Sequence, residues 1–139
     1  MKIFLIGPMG SGKSKIGKIL SSELDKDLFD LDKEIEKDLN LSINEIFKLK
    51  DEAYFRSIET KYLKKSLELK DCIVSTGGGI VESEENLNLL KNEKYVIFLN
   101  SKVESQFENT KGSDKRPLLN LSNPKEILQK LYDKRIDKY

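Results

Sequence analysis

A chain of 139 residues with 37% hydrophobic and 35% charged side chains has the length and composition of one globular domain around a single core. Its 25 basic and 24 acidic residues leave a net charge of +1, which removes the electrostatic case for a nucleic-acid or acidic-membrane partner. With no histidine and one cysteine, imidazole bases, Ser-His triads, histidine metal sites and thiolate clusters are excluded; any chemistry falls to carboxylates, Lys, Arg, hydroxyls, backbone amides and a hard cation held by oxygen.

KIFLI (Lys2–Ile6) is a short apolar run ended by glycine and reads as a central strand. It is too short for a signal peptide, and no apolar run reaches the roughly 18–20 residues of a membrane span. GPMGSGKS, Gly7 to Ser14, follows at once and fits the pattern G-x-x-x-x-G-K-S/T between a strand and a helix. Such a loop turns successive amide groups inward on a polyphosphate, and the helix N-terminus adds partial positive charge. Lys13 reaches the β- and γ-phosphates, and the Ser14 hydroxyl can ligate Mg²⁺. The helix runs from Lys13 to about Leu24, with Ile16, Ile19, Leu20 and Leu24 at helical spacing.

LFDLD (Leu28–Asp32) alternates as a strand would, which sets Asp30 and Asp32 on one face at the sheet's carboxyl edge. One could hold a metal-bound water and the other align or deprotonate an attacking hydroxyl; the competing reading is that Asp32 caps a helix. That helix spans Asp32 to about Leu39, Leu41 marks a break, and Ser42 with Glu45 can form a capping box. A long helix follows over Asp51–Leu69, with Phe55, Ile58, Tyr62 and Leu69 on a stripe.

CIVS (Cys72–Ser75) reads as a buried strand, with Cys72 as a small packing residue suited to a reducing cytoplasm. Three of the chain's eight glycines, Gly77, Gly78 and Gly79, stand at its end, where bare backbone suggests the wall of a second, acceptor pocket. A helix from about Ser83 to Leu90, a buried strand YVIFL (Tyr95–Leu99) and a helix over Lys102–Glu108 come next. Asn109–Asn120 is polar and reads as a lid loop; Pro124 then opens a last helix to about Arg135, with Asn123 as its cap. Strands alternating with helices predict an α/β fold with a parallel sheet.

Only three of the 25 basic residues are arginine: Arg56, Arg116 and Arg135. In a chain so rich in lysine, each arginine suggests a planar fork for carboxylate or phosphate. Arg116, in KRPLL, could close over a transferring phosphate. Arg135 could instead serve the dipole at its helix end. Phosphate loops serve GTPases, ATPases and small-molecule kinases alike. The short chain and the lack of an N-K-x-D sequence favour a kinase of small metabolites.

Together, GPMGSGKS, FDLD, SINEIF (Ser42–Phe47), FRSIE (Phe55–Glu59), STGGG (Ser75–Gly79), RPLL (Arg116–Leu119) and YDKRIDKY resemble the shikimate kinases in order and spacing along almost the whole chain. The resemblance implies a three-layer α/β/α P-loop kinase fold over residues 1–139. It implies transfer of the γ-phosphoryl of ATP to the 3-hydroxyl of shikimate, with Mg²⁺, in a monomeric cytoplasmic enzyme. Gly7, Pro8, Met9, Gly10, Ser11, Gly12, Lys13, Ser14, Lys15 and Arg116 would hold the nucleotide. Ser14 and, through water, Asp30 would hold the metal. Asp32 would orient the nucleophile, with Lys13 and Arg116 on the transferring phosphoryl. Arg56 and Arg135 would clamp the substrate carboxylate, Glu59 would brace Arg56, and Phe47 and Phe55 would line the apolar side of the ring. The glycine triplet would approach the substrate through its backbone.

The chain departs from the family pattern twice. Asn109 stands where an arginine usually precedes the lid threonine, here Thr110. The family also usually continues past the position of Tyr139 with a strand and a helix, absent here. Both departures lead to the expectation of weak or poorly selective nucleotide binding beside normal shikimate recognition, and the missing strand to that of an exposed sheet edge and apolar helix faces. The competing functions are a shikimate- or nucleotide-binding protein with little turnover, and another P-loop kinase such as gluconate kinase.

Overall fold

The computed structural model describes residues 1–111 and 123–139. Arg116, the RPLL stretch and most of the expected lid loop lie outside the described residues.

Four parallel strands form one sheet in the order β2-β3-β1-β4, where β1 is Lys2–Ile6, β2 Asp27–Asp30, β3 Cys72–Ser75 and β4 Val96–Phe98. The central pair β1 and β3 is apolar without alternation because helices cover both of its faces. Phe4, Ile6, Cys72 and Val74 meet α2 (Leu31–Leu39), α3 (Ile43–Leu49), α4 (Glu52–Leu67) and α5 (Glu84–Lys91) on one side. Ile3, Leu5 and Ile73 meet Ile16 and Leu20 of α1 (Lys13–Leu24) on the other. Ile19 and Leu24, at helical spacing in the sequence, are exposed and take no part. Gly17 lets α1 sit low on the sheet: a Cβ there would lie 3.0 Å from Leu28.

Helix starts follow their capping chemistry. Ser42 and Glu45 make both bonds of the capping box, and Asp51 and Ser83 cap α4 and α5. Pro124 opens α7 (Pro124–Arg135), but Asn123 has φ +62° and its side chain makes no cap. At the end of β2 the expected strand Leu28–Asp32 stops early. Asp30 is both the last strand residue and the N-cap of α2, accepting from Lys33 N at 3.3 Å, so Asp32 belongs to the first helical turn. The capping role considered for Asp32 falls to Asp30.

Three other expectations change. Helix α4 ends at Leu67, and Leu69 lies beyond it, exposed. Helix α6 runs Val103–Thr110, so Asn109 and Thr110 are helical and not part of a loop. Strand β4 is not buried: it pairs only with β1 among the described residues, and Ile97 on it is 41% exposed. A 3₁₀ turn, Ile136–Lys138, follows α7 and brings Tyr139 onto Phe98, with rings stacked at 5.1 Å. No helix among the described residues is long and apolar enough to cross a membrane.

Candidate active site

The carboxyl ends of β1, β2 and β3 open into a cleft of about 600 Å³, where open parallel sheets ordinarily bind ligands. The loop after β1 is shaped by backbone that side chains would strain. Gly10 has φ +76°, and a Cβ there would lie 2.7 Å from the Gln106 carbonyl of α6. Gly7, at φ +147°, would meet the Leu99 carbonyl at 2.4 Å. Lys13, only 7% exposed, donates to the carbonyls of Gly7 at 2.7 Å and Pro8 at 2.8 Å. Its ammonium is therefore already aimed into the loop. The Ser14 hydroxyl donates to Asp30 Oδ2 at 2.8 Å, which joins a hydroxyl and a carboxylate at the start of α1. Mg²⁺ keeps several waters and takes few protein oxygens, so this pair fits it.

Asp32 reaches the same cleft from the first turn of α2, not from a shared strand face. Its Oδ1 is buried without a hydrogen-bond partner. Burial, then the charges of Glu59, Asp30 and Glu36, push its pKa up to about 7, against the lowering pull of Lys13. A carboxyl with that pKa is poised to accept a proton near neutral pH.

The opposite wall is basic. Arg56 donates from Nη1 to Glu59 Oε1 at 2.9 Å and from Nη2 to Glu52 Oε1 at 3.2 Å. Its guanidinium also lies over the Phe55 ring at 5.4 Å. Glu59 is fully buried, and burial, the largest influence, raises its pKa despite the pull of Arg56. Arg135 ends α7 but is 2% exposed and donates from Nε to Glu82 Oε1 at 2.9 Å. It faces the cleft and not the solvent at the helix end, which decides against a purely dipolar role. Phe47 and Phe55, with ring centroids 5.0 Å apart, form the apolar side.

The glycine triplet makes room for the site's own groups. A Cβ on Gly77 would lie 2.7 Å from Glu59 Oε2 and 3.3 Å from Asp32 Oδ1. One on Gly78 would lie 2.9 Å from the Met9 backbone nitrogen, and one on Gly79 would lie 2.4 Å from both Arg56 Nη atoms. The bare backbone thus seats two carboxylates, the phosphate loop and a guanidinium, and itself lines the cleft beside them.

Of the residues singled out in the sequence, Met9, Gly10, Gly12, Lys13, Ser14, Lys15, Asp30, Asp32, Phe47, Phe55, Arg56, Glu59, the triplet and Arg135 all line the cleft. Gly7, Pro8 and Ser11 stand behind it, supporting the loop. Asn109 lines it too, with Nδ2 donating to the Gly10 carbonyl at 2.7 Å. Sequence reasoning missed Thr76, whose hydroxyl donates to the Leu5 carbonyl at 2.9 Å, although it stands inside STGGG. It also missed Tyr139, whose hydroxyl donates to the Gly78 carbonyl at 2.6 Å; its signal was the helical spacing four residues after Arg135. Glu82 carried no sequence signal.

A phosphate loop on a parallel sheet, with a poised carboxyl and two arginines across the cleft, defines a P-loop kinase of a small acidic acceptor. A deoxyadenosine kinase from M. mycoides shares the fold, with a TM-score of 0.59 at 20% identity over 99% of this chain and 84% of that one. Within that class the family is specific. The shikimate kinase family model matches residues 9–139, and the chain belongs to that family. The shikimate kinase of Persephonella marina is 44% identical over 133 residues, covering 96% of this chain and 80% of that one. That of Aquifex aeolicus is 41% identical over 135 residues, covering 97% and 79%. The shikimate kinase from Acinetobacter baumannii, solved in complex with shikimate, matches with a TM-score of 0.97 at 36% identity, covering 99% and 77%.

Proposed function

We propose that this chain, acting as a single kinase domain, transfers the γ-phosphoryl group of ATP to the 3-hydroxyl of shikimate, releasing ADP and shikimate 3-phosphate. The observation that carries the reading is one cleft that joins a phosphate cradle to a poised carboxyl and two inward arginines. The loop Gly7–Ser14 and Lys15 hold the nucleotide phosphates. Lys13 turns from the Gly7 and Pro8 carbonyls to the phosphate oxygens, which are stronger partners because they carry charge. Ser14 and, through water, Asp30 would hold Mg²⁺, which supplies charge neutralisation on the phosphates.

Arg56, braced by Glu59, and Arg135 clamp the shikimate carboxylate, and Phe47 and Phe55 flank the ring. The backbone of Gly77, Gly78 and Gly79 closes the wall. Asp32 aligns the 3-hydroxyl and takes its proton as the hydroxyl oxygen bonds to the γ-phosphorus and the bond to the ADP oxygen breaks. Arg116 is assigned the closing contact on the transferring group. Positioning and charge neutralisation carry the rate, since little covalent chemistry is asked of the protein. The enzyme acts as a monomer in the cytoplasm, without nucleic-acid or membrane partners.

A steady-state ADP-release assay with MgATP tests this, with shikimate expected to be turned over and gluconate not. Arg135→Ala should raise the shikimate KM by about 30-fold, because it removes one fork and takes from the Glu82 carboxylate its hydrogen-bonded partner. The ATP KM should stay within about twofold. A shikimate KM unchanged in that variant contradicts the clamp.

A further inference from the structure

Glu82 belongs to none of the motifs, yet it lies between the two inward arginines. It ends the 3₁₀ turn Ile80–Glu82 directly after the glycine triplet, and its side chain is 13% exposed. Its two oxygens go to different partners. Oε1 accepts from Arg135 Nε at 2.9 Å and lies 3.2 Å from Lys134 Nζ, while Oε2 lies 3.8 Å from Arg56 Nε. Arg56 has two further carboxylates on its own helix, Glu52 and Glu59. Among the described residues, Glu82 is the carboxylate within ion-pair distance of both arginines.

The turn that carries it is firmly held. Glu82 N donates to the Gly79 carbonyl at 3.0 Å, and the fully buried Asn86 donates from Nδ2 to the Ile80 carbonyl at 3.0 Å. The Arg56 guanidinium lies close against Gly79 at the other end of the same turn, in the space a Cβ there would take. Two guanidiniums brought to one pocket repel each other, and they come from different helices, α4 and α7. A carboxylate that splits its oxygens between them opposes that repulsion and sets their spacing. The Glu82 contacts fall on the two Nε groups; on Arg56, Nη1 and Nη2 each give one N–H to Glu59 and Glu52 and keep a second for an incoming carboxylate.

We propose that Glu82 is a positioning residue for the acceptor: it bridges Arg135, by a hydrogen bond, and Arg56, by a longer ion pair, and thereby sets the spacing of the two arginines and acceptor affinity. This rests on the reading of those arginines as the clamp for the shikimate carboxylate.

The test compares Glu82→Ala, Glu82→Asp and Arg135→Lys, measuring both KM values, kcat and the calorimetric affinity for shikimate. Glu82→Ala should weaken shikimate binding by about tenfold, with kcat and the ATP KM within about twofold of the parent. Glu82→Asp keeps the charge but is one methylene shorter, so it should recover less than half of that loss. It also serves as the test if the alanine variant does not fold. Arg135→Lys, which keeps charge and loses the fork, should weaken shikimate binding by about tenfold.

Unchanged or tighter shikimate binding in Glu82→Ala, beside weakened binding in Arg135→Lys, overturns the bridge and leaves the clamp standing. Full recovery in Glu82→Asp overturns it as well, since charge without span would then suffice. Equal losses in both KM values and kcat would mark a general structural role and also overturn it. Unchanged binding in Arg135→Lys removes the clamp, and the bridge with it.

Discussion

Lys13→Ala is expected to lower kcat by about 10³-fold with the fold intact, on the scale seen when one preorganised donor to a developing charge is removed. Position is the reason. Lys13 opens α1 and is nearly buried, and its ammonium is held by two carbonyls of the loop it must serve. Neutral carbonyls are modest partners for an ammonium, and the γ-phosphoryl oxygens gain charge as the bond to ADP loosens. The exchange of partners therefore favours the transition state over the ground state, and an effect of that kind appears in kcat. The loop keeps its shape without the side chain, because its glycine conformations and the Ser11 N to Pro8 carbonyl bond are main-chain features. Single-turnover ADP release at saturating substrates checks this. A rate within about tenfold of the parent would return Lys13 to a loop-bracing role.

Asp32→Asn should remove about 10³-fold in kcat, in the range of a general base. Its pKa of about 7 adds a second signature. The base must be ionised, so kcat/KM for shikimate at low ATP should rise with pH through about 7 and then level; that limb should vanish in Asp32→Asn. Stability runs the other way. The folded pKa lies above the ordinary carboxyl value, so the contribution to stability is fully present below about pH 4 and is lost as pH rises through about 7. Asparagine cannot ionise. Asp32→Asn should therefore be more stable than the parent at pH 8, on the order of a few kcal/mol, and close to it at pH 4. Denaturant melts at the two pH values decide this, and an equal gap at both would show that the buried carboxylate stores no strain.

The donor half of the site was legible because it is written in local backbone chemistry. GPMGSGKS needs glycines where φ is positive, and Lys13–Leu24 forms the helix expected from its periodicity. FDLD was legible as a pair but not as geometry. A two-residue strand pattern and a helix N-cap share the same letters, and only the bond from Lys33 N to Asp30 tells them apart. The acceptor half depends on chain crossings that no local pattern encodes. Nothing in STGGG says that Glu59, Met9 and Arg56 arrive from other elements to fill the space the glycines leave. Glu82 was invisible for the same reason, and Tyr139 was marked only by its spacing from Arg135, since each acts through partners distant in the chain. YVIFL reads by composition as a buried strand, and among the described residues the sheet order places it at an edge.

The seam where Gly78 abuts the Met9 nitrogen brings two backbones together with no side chain between them. Side chains absorb small displacements by changing rotamer; main chain in contact with main chain has no such slack. Any adjustment of the loop around a polyphosphate is passed to the acceptor wall, and the reverse holds equally. Thermodynamic linkage makes the effect reciprocal: the factor by which nucleotide changes shikimate affinity must equal the factor by which shikimate changes nucleotide affinity. Titrating shikimate with and without ADP, and ADP with and without shikimate, should give the same factor twice, of about fivefold or more. Two independent affinities would mean that the two halves of the cleft, though in contact, do not communicate.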